Sequence, residues 1–308
     1  MQIRTDLAME SRENAGSMSG VRCRRFLHDG IEETQVRVET EEAARALQKE
    51  RGRYITLSLP DFAHAGAEQR KTLALALARS IGELLPPFGD LMIVGLGNRR
   101  MTADALGSRV LDGLMITRHM REITQRELRG RLRGVCAIAP GVLGVTGMET
   151  AEVVLGLVEH VRPTAVIAID ALAARESKRI CTTIQITDTG IRPGSGVGNH
   201  RIGLNRETLG VPVIAVGVPM VVYASVIARD ALSLLMRENG EAEEEHEAAM
   251  NAMIGCVVNS EMGELVVTPR EVDELLGKVA AVIADALNMA LQPRLSPEEI
   301  ALLTHDGI

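Results

Sequence analysis

Two aspartates carry the clearest chemistry in the sequence. Asp170 directly follows the apolar run Val166-Ile-Ala-Ile169. Asp104 lies a short loop after Leu91-Met-Ile-Val94, in Gly97-Asn-Arg-Arg-Met-Thr-Ala-Asp104-Ala-Leu-Gly107. In open α/β sheets, ligands bind beyond the carboxyl ends of the strands. If the two strands are neighbours, the carboxyl groups can converge on one water or share one proton, because two close negative charges resist joint ionisation. Such a pair supplies a general base and a general acid for amide hydrolysis. An aspartate at a strand end is equally a cap for the helix that follows, so spacing alone leaves both readings open.

Other constellations are weaker. Asp188-Thr-Gly190 matches the tripeptide of pepsin-like proteases, but it occurs once and in an α/β pattern, where a solvent-facing turn is its ordinary role. Gly95-x-Gly97 has Arg100 where a dinucleotide fingerprint needs its third glycine, and Gly194-Ser-Gly196-Val-Gly198 follows no convincing strand. His200 could complete a metal site with the two aspartates, although a lone loop histidine is more often simply exposed. No phosphate loop, His-Glu-x-x-His helix or Gly-x-Ser-x-Gly elbow is present.

The elements that must position these residues belong to a chain of 308 residues, 46% hydrophobic, with no Trp, two Tyr and three Phe. The core is therefore aliphatic, and aromatic platforms for nucleic-acid bases are missing. A net charge of −7 argues against binding phosphate backbones directly. The four cysteines, Cys23, Cys136, Cys181 and Cys256, form no Cys-x-x-Cys pair and read as reduced thiols. The polar N-terminus and the lack of an apolar run near ~20 residues predict a soluble protein that is not exported.

A polar lead-in runs to about Gly20. Strands are predicted at Gln35 to Val38 and Tyr54 to Leu59, and a helix from Glu68 to Leu85. Strand and helix then alternate: strand 91–94, a helix from near Ala103, strand 134–139, helix 149–161, strand 165–169, helix 171–179, strand 211–216 and helix 221–236. A last helix spans Pro269 to Leu291, capped by Thr268. Buried apolar runs alternating with helices predict a three-layer α/β/α sandwich around a mainly parallel sheet, with extra loops and strands. Two segments look like additions, the acidic 238–247 stretch and the glycine-rich loop 190–203, and such loops at strand ends commonly build sites.

Taken in order, these segments resemble the germination protease family of endospore-forming bacteria. The likeness rests on Arg4-Thr-Asp-Leu-Ala8, Gly95-Leu-Gly-Asn98, Asp104-Ala-Leu-Gly107, Pro140 to Thr150 and Pro163 to Arg175. It continues through Thr182-Thr-Ile-Gln-Ile186, Asp188-Thr-Gly-Ile191, Pro193 to Asn199, Leu209-Gly-Val-Pro212 and Val267-Thr-Pro269. The resemblance implies an atypical aspartic endopeptidase without cofactor, similar in architecture to hydrogenase maturation proteases. A metal-dependent peptidase of that latter kind is the alternative. Its catalytic pair would be Asp104 and Asp170, with Asn98, Asp188, Ser195 and His200 lining the site.

The resemblance further implies a homotetrameric precursor in the cytoplasm of the spore core, acting on small acid-soluble spore proteins and contacting neither nucleic acid nor membrane. It would remove its own N-terminus between Asp6 and Leu7, leaving residues 1–6 as propeptide and 7–308 as one peptidase domain. An acidic residue before the cut bond would suit a basic pocket, for which Arg99, Arg100, Arg192 and Arg201 are candidates. Departures from the family pattern are Arg99-Arg100 after Asn98, Tyr223 where relatives carry Asp, and a short lead-in before Thr5.

Overall fold

In the computed structural model, which describes residues 5–121, 130–192, 202–238 and 265–305, the apolar runs form the middle of a nine-stranded sheet. The strands are β1 (Val21–His28), β2 (Ile31–Val38), β3 (Gly52–Ser58), β4 (Leu91–Gly95), β5 (Val135–Ile138), β6 (Ala165–Ala174), β7 (Thr183–Thr187), β8 (Val213–Tyr223) and β9 (Val266–Val267). Their order is β1-β2-β3-β7-β8-β6-β4-β5, with β9 attached to β8. β5, β4, β6 and β8 are parallel, as the strand and helix alternation predicts. The other half, β7, β3, β2 and β1, is antiparallel throughout and supplies the additional strands.

Helices cover both faces. They are α1 (Ala8–Ala15), α2 (Glu41–Leu47), α3 (Ala67–Gly82), α4 (Leu106–Leu111), α5 (Leu143–Thr146), α6 (Thr150–Val161), α7 (Arg206–Leu209), α8 (Ala224–Glu238), α9 (Val272–Leu291) and α10 (Pro297–His305). Strand residues alternate between faces. Ile93, Ile167, Ile169, Ile184, Ile186 and Val216 pack beneath α3, α4 and α9. On the opposite face, Met92, Val94, Val166 and Ala168 meet α6 and α7, while Leu172, Ala174 and Val222 meet α1 and α2. Asp170 rises between these two smaller clusters.

Several predicted boundaries move. The expected helix 171–179 is instead the end of β6, whose pairing with β8 continues to Ala174 opposite Val222. Only Ser177–Arg179 turn helically. Likewise β8 runs on to Tyr223 before α8 begins. Thr268 caps no helix, since α9 starts at Val272 and the Thr268 hydroxyl donates to the Met220 carbonyl at 2.9 Å. The polar lead-in contains α1, and β1 follows it before Gln35 is reached.

Candidate active site

β4 and β6 are hydrogen-bonded neighbours, the condition on which convergence of the two aspartates depends. As the chain leaves β4, the Leu96 N–H donates to the Ile169 carbonyl at 2.8 Å, so the loop that carries Asp104 departs beside the residue preceding Asp170. Gly97, at φ +91°, turns that loop back. The Asn98 N–H then donates to Asp104 Oδ2 at 2.8 Å, and the Asn98 Oδ1 accepts from the Arg100 N–H at 3.0 Å. Asp104 closes a short helical turn at 102–104 that packs against β6, β8 and α9. Thr102 secures this turn by donating to Asp273 of α9 at 2.9 Å.

The close fit explains the small residues of the motif. A β-carbon on Gly95 would lie 2.5 Å from the Gly107 carbonyl oxygen, and one on Gly107 would lie 2.4 Å from the Leu96 nitrogen. Strand end and first turn of α4 therefore touch backbone to backbone. Asp170 itself is 5% exposed and accepts the Ala171 N–H at 3.0 Å. In the sheet it stands level with Gly217 of β8, and Gly217 with Gln185 of β7, so Asp170 and Gln185 share one face across a glycine.

Above that row lies a cleft of about 1020 Å³ whose lining includes Asp6, Glu10, Lys49, Leu172, Gln185 and Gly217. The N-terminal segment forms part of its wall. Asp6 N–H donates to the Ala173 carbonyl at 3.0 Å, and the Ala173 N–H returns a bond to the Asp6 carboxylate at 2.9 Å. Two donors meet the Asp6 carbonyl: Lys49 Nζ at 3.0 Å and Gln185 Nε2 at 3.1 Å. Lys49 also donates to the Thr5 carbonyl, and Gln185 Oε1 accepts the Ala8 N–H at 2.7 Å. Leu7 and Ala8 are wholly buried in the cluster beneath α1 and α2.

Glu10 fastens the start of α1. Its carboxylate accepts the main-chain N–H groups of Arg175 at 2.8 Å and Glu176 at 3.1 Å, together with the Thr5 hydroxyl, and faces Arg179. Burial raises its pKa, against the opposing pull of the Thr5 hydroxyl, the Arg175 N–H and the Arg179 charge. Lys49 is half-buried along its length, with its ammonium deep in the cleft wall. Burial holds its pKa below the ordinary lysine value although the Asp6 and Glu10 charges draw it up.

The remaining candidates lie elsewhere. Asp188 accepts both the Arg53 N–H and its guanidinium at 2.8 Å, beyond the end of β7 and outside the cleft lining. Arg99 pairs with Asp112 at 3.0 Å and Arg192 with Glu50 at 2.5 Å, while the Asp6 carboxylate takes a main-chain N–H. Ser195, His200 and Arg201 lie outside the described residues. Burial pushes the Cys181 thiol up to about 12 and raises that of Cys136, which removes both as ready thiolate nucleophiles. Among the described residues, no cluster of three His, Cys, Asp or Glu side chains that could hold a metal ion is present. Nor is any described helix long and apolar enough to cross a membrane.

Sequence comparison supplies the family. The family described as germination protease matches residues 1–262. The chain belongs to the germination protease family. A germination protease of Clostridium perfringens strain SM101 is 42% identical over 317 residues, covering 97% of this chain and 98% of that one. The germination protease of Priestia megaterium is 34% identical over 360 residues, covering 98% and 97%. Among solved structures, a [NiFe] hydrogenase maturation protease, HycI, from Thermococcus kodakarensis KOD1 aligns with a TM-score of 0.32 at 17% identity, over 68% of this chain and 98% of that one. Membership of the germination protease family makes this chain a peptidase of spore germination. Lys49 carries no motif signal. Gln185 does carry one, because Ile184 and Ile186 flank it in a buried strand and turn its amide to the other face.

Proposed function

We propose that this protein is an endopeptidase of the atypical aspartic type that begins the degradation of small acid-soluble spore proteins in the spore core. It is made as a homotetrameric precursor that cuts itself between Asp6 and Leu7. Residues 1–6 are the propeptide, and residues 7–308 form the peptidase domain. Asp104 and Asp170 share one proton. The ionised member takes a proton from water as the oxygen attacks the peptide carbonyl, and the protonated member delivers one to the leaving nitrogen. Support comes above all from the seating of Thr5 to Ala8, gripped through its main chain on the same sheet face as Asp170, as a peptide substrate would be.

The test is incubation of the purified full-length protein, alone and with a small acid-soluble spore protein, under mildly acidic and then neutral conditions, with fragments followed by mass. The proposal expects a new N-terminus at Leu7 and fragments of the added protein. An intact N-terminus together with an intact added protein under every condition overturns it. Light scattering on the same sample checks the tetramer.

A further inference from the structure

The Asp6 carbonyl receives two side-chain donors, Lys49 Nζ and Gln185 Nε2, that come from well-separated stretches of the sequence. Each is delivered by a specific local device. α2 ends at Gln48 in the left-handed conformation, and the Lys49 N–H bonds back to the Ala44 carbonyl at 3.0 Å, a helix-terminating turn that swings the lysine side chain from the α2 surface into the cleft. Gln185 projects from the middle of β7, in register with Gly217, which in turn is in register with Asp170. At about 4.8 Å between neighbouring strands, Gln185 and Asp170 stand roughly 10 Å apart across the sheet, with the glycine between them.

The Gln185 amide does more than hold one atom. Its nitrogen donates to the Asp6 carbonyl and its oxygen accepts the Ala8 N–H, so a single side chain spans Leu7, touching the carbonyl of the Asp6–Leu7 bond on one side and the N–H of the next peptide bond on the other. Lys49, for its part, spends its donors on two main-chain carbonyls, those of Thr5 and Asp6. An ammonium set against neutral carbonyls in a desolvated wall is a costly way to fasten a segment that Glu10 and Ala173 already hold. It is, however, what a developing negative charge on that oxygen requires.

We infer that Lys49 and Gln185 form the oxyanion hole for self-cleavage of the Asp6–Leu7 bond. The inference rests on that bond being the one cut. As water oxygen bonds to the Asp6 carbonyl carbon, its proton passes to the ionised aspartate and the carbonyl π pair moves onto the Asp6 oxygen, where the two donors meet it. When the carbon–nitrogen bond breaks, the pair returns to the carbonyl and the Leu7 nitrogen leaves as an amine with the proton it has received. Asp6 then ends in a carboxylate that Lys49 neutralises.

The experiment uses full-length wild type, Lys49→Met, Lys49→Arg and Gln185→Leu, and measures the first-order appearance of the Leu7 N-terminus by mass. Hydrogen exchange at Leu7 and Ala8 in the uncut protein reports in parallel whether the segment stays seated. The expected result is a loss of about 100-fold in Lys49→Met and Gln185→Leu with the segment still protected, and partial recovery in Lys49→Arg. Wild-type rates in the variants, or slow cleavage accompanied by loss of protection, would reduce the two residues to structural ties and overturn the inference while leaving the peptidase reading standing. A wild-type protein that cuts an added spore protein but never its own Asp6–Leu7 bond overturns the inference alone. One that cuts neither overturns both.

Discussion

The carbonyl oxygen of Asp104 lies 2.0 Å from the point where a β-carbon on Gly97 would sit, and Asp104 Oδ1 lies 2.8 Å from it. Gly97 is thus the floor on which Asp104 rests, and its φ of +91° is one that side-chain-bearing residues rarely adopt. Gly97→Ala is expected to cost about 1–3 kcal/mol of stability and to displace the Asp104 carboxylate, lowering self-processing at least tenfold. Gly156→Ala provides the contrast. Gly156 is exposed within α6 with nothing near its added methyl group, so this variant should gain about 0.5–1 kcal/mol and process normally. Urea denaturation and N-terminal mass decide both.

Replacing either aspartate by its amide tests the pair without dismantling its setting. The Asn98 N–H and the Ala171 N–H each meet a carboxylate oxygen that an amide oxygen can imitate. Asp104→Asn and Asp170→Asn are therefore expected to fold with stability within about 1 kcal/mol of wild type and to lose at least about 100-fold in both self-processing and cleavage of an added spore protein. Retention of full rate in either variant would remove that residue from the chemistry.

How much of this site could be read from the amino-acid order depends on distance along the chain. Asp170 was legible because a lone charge after a continuous apolar run marks a buried strand with a reason to carry it, but its position was not, since β6 runs on through Asp170 to Ala174 rather than ending before it. The next residues, Ala171 to Ala174, misled because alanine and leucine favour helix in isolation. Pairing with β8 and burial on both faces outweigh that preference and keep them extended. α1 was hidden because only its first turn, Ala8 to Glu10, is buried, leaving no apolar stripe. Lys49 stands in a charged run that reads as surface, and its convergence with Gln185 across more than a hundred residues is a property of the antiparallel half of the sheet, which no local pattern announces.

Metal dependence is tested by chelation. The reading of Asp104 and Asp170 as an acid–base pair expects self-processing to proceed at an unchanged rate after exhaustive treatment with EDTA, and metal analysis to find less than one equivalent per chain. A loss of rate restored by one divalent cation would instead install the metal-dependent alternative, with water activated by the ion.

Lys49 also governs a stability effect whose sign follows from its depressed pKa. In the folded chain the ammonium is desolvated, so the charged form is penalised relative to the unfolded chain, where lysine titrates near its ordinary value of 10.5. That penalty is fully present below the folded pKa and disappears as pH climbs to the ordinary value, so the lysine makes wild type gain stability on going alkaline through this window. The carboxylates of Asp6 and Glu10 reduce the penalty without cancelling it. Lys49→Met keeps an unbranched apolar stem in the same wall and removes the charge. It is expected to be more stable than wild type by about 1 kcal/mol at neutral pH, with the advantage shrinking toward zero near pH 10.5. Urea denaturation across pH 7 to 10.5 reads the difference directly. An advantage that widened with pH would mean that the ammonium is favoured by folding, and that Lys49 serves as an ion-pair anchor for the N-terminal segment.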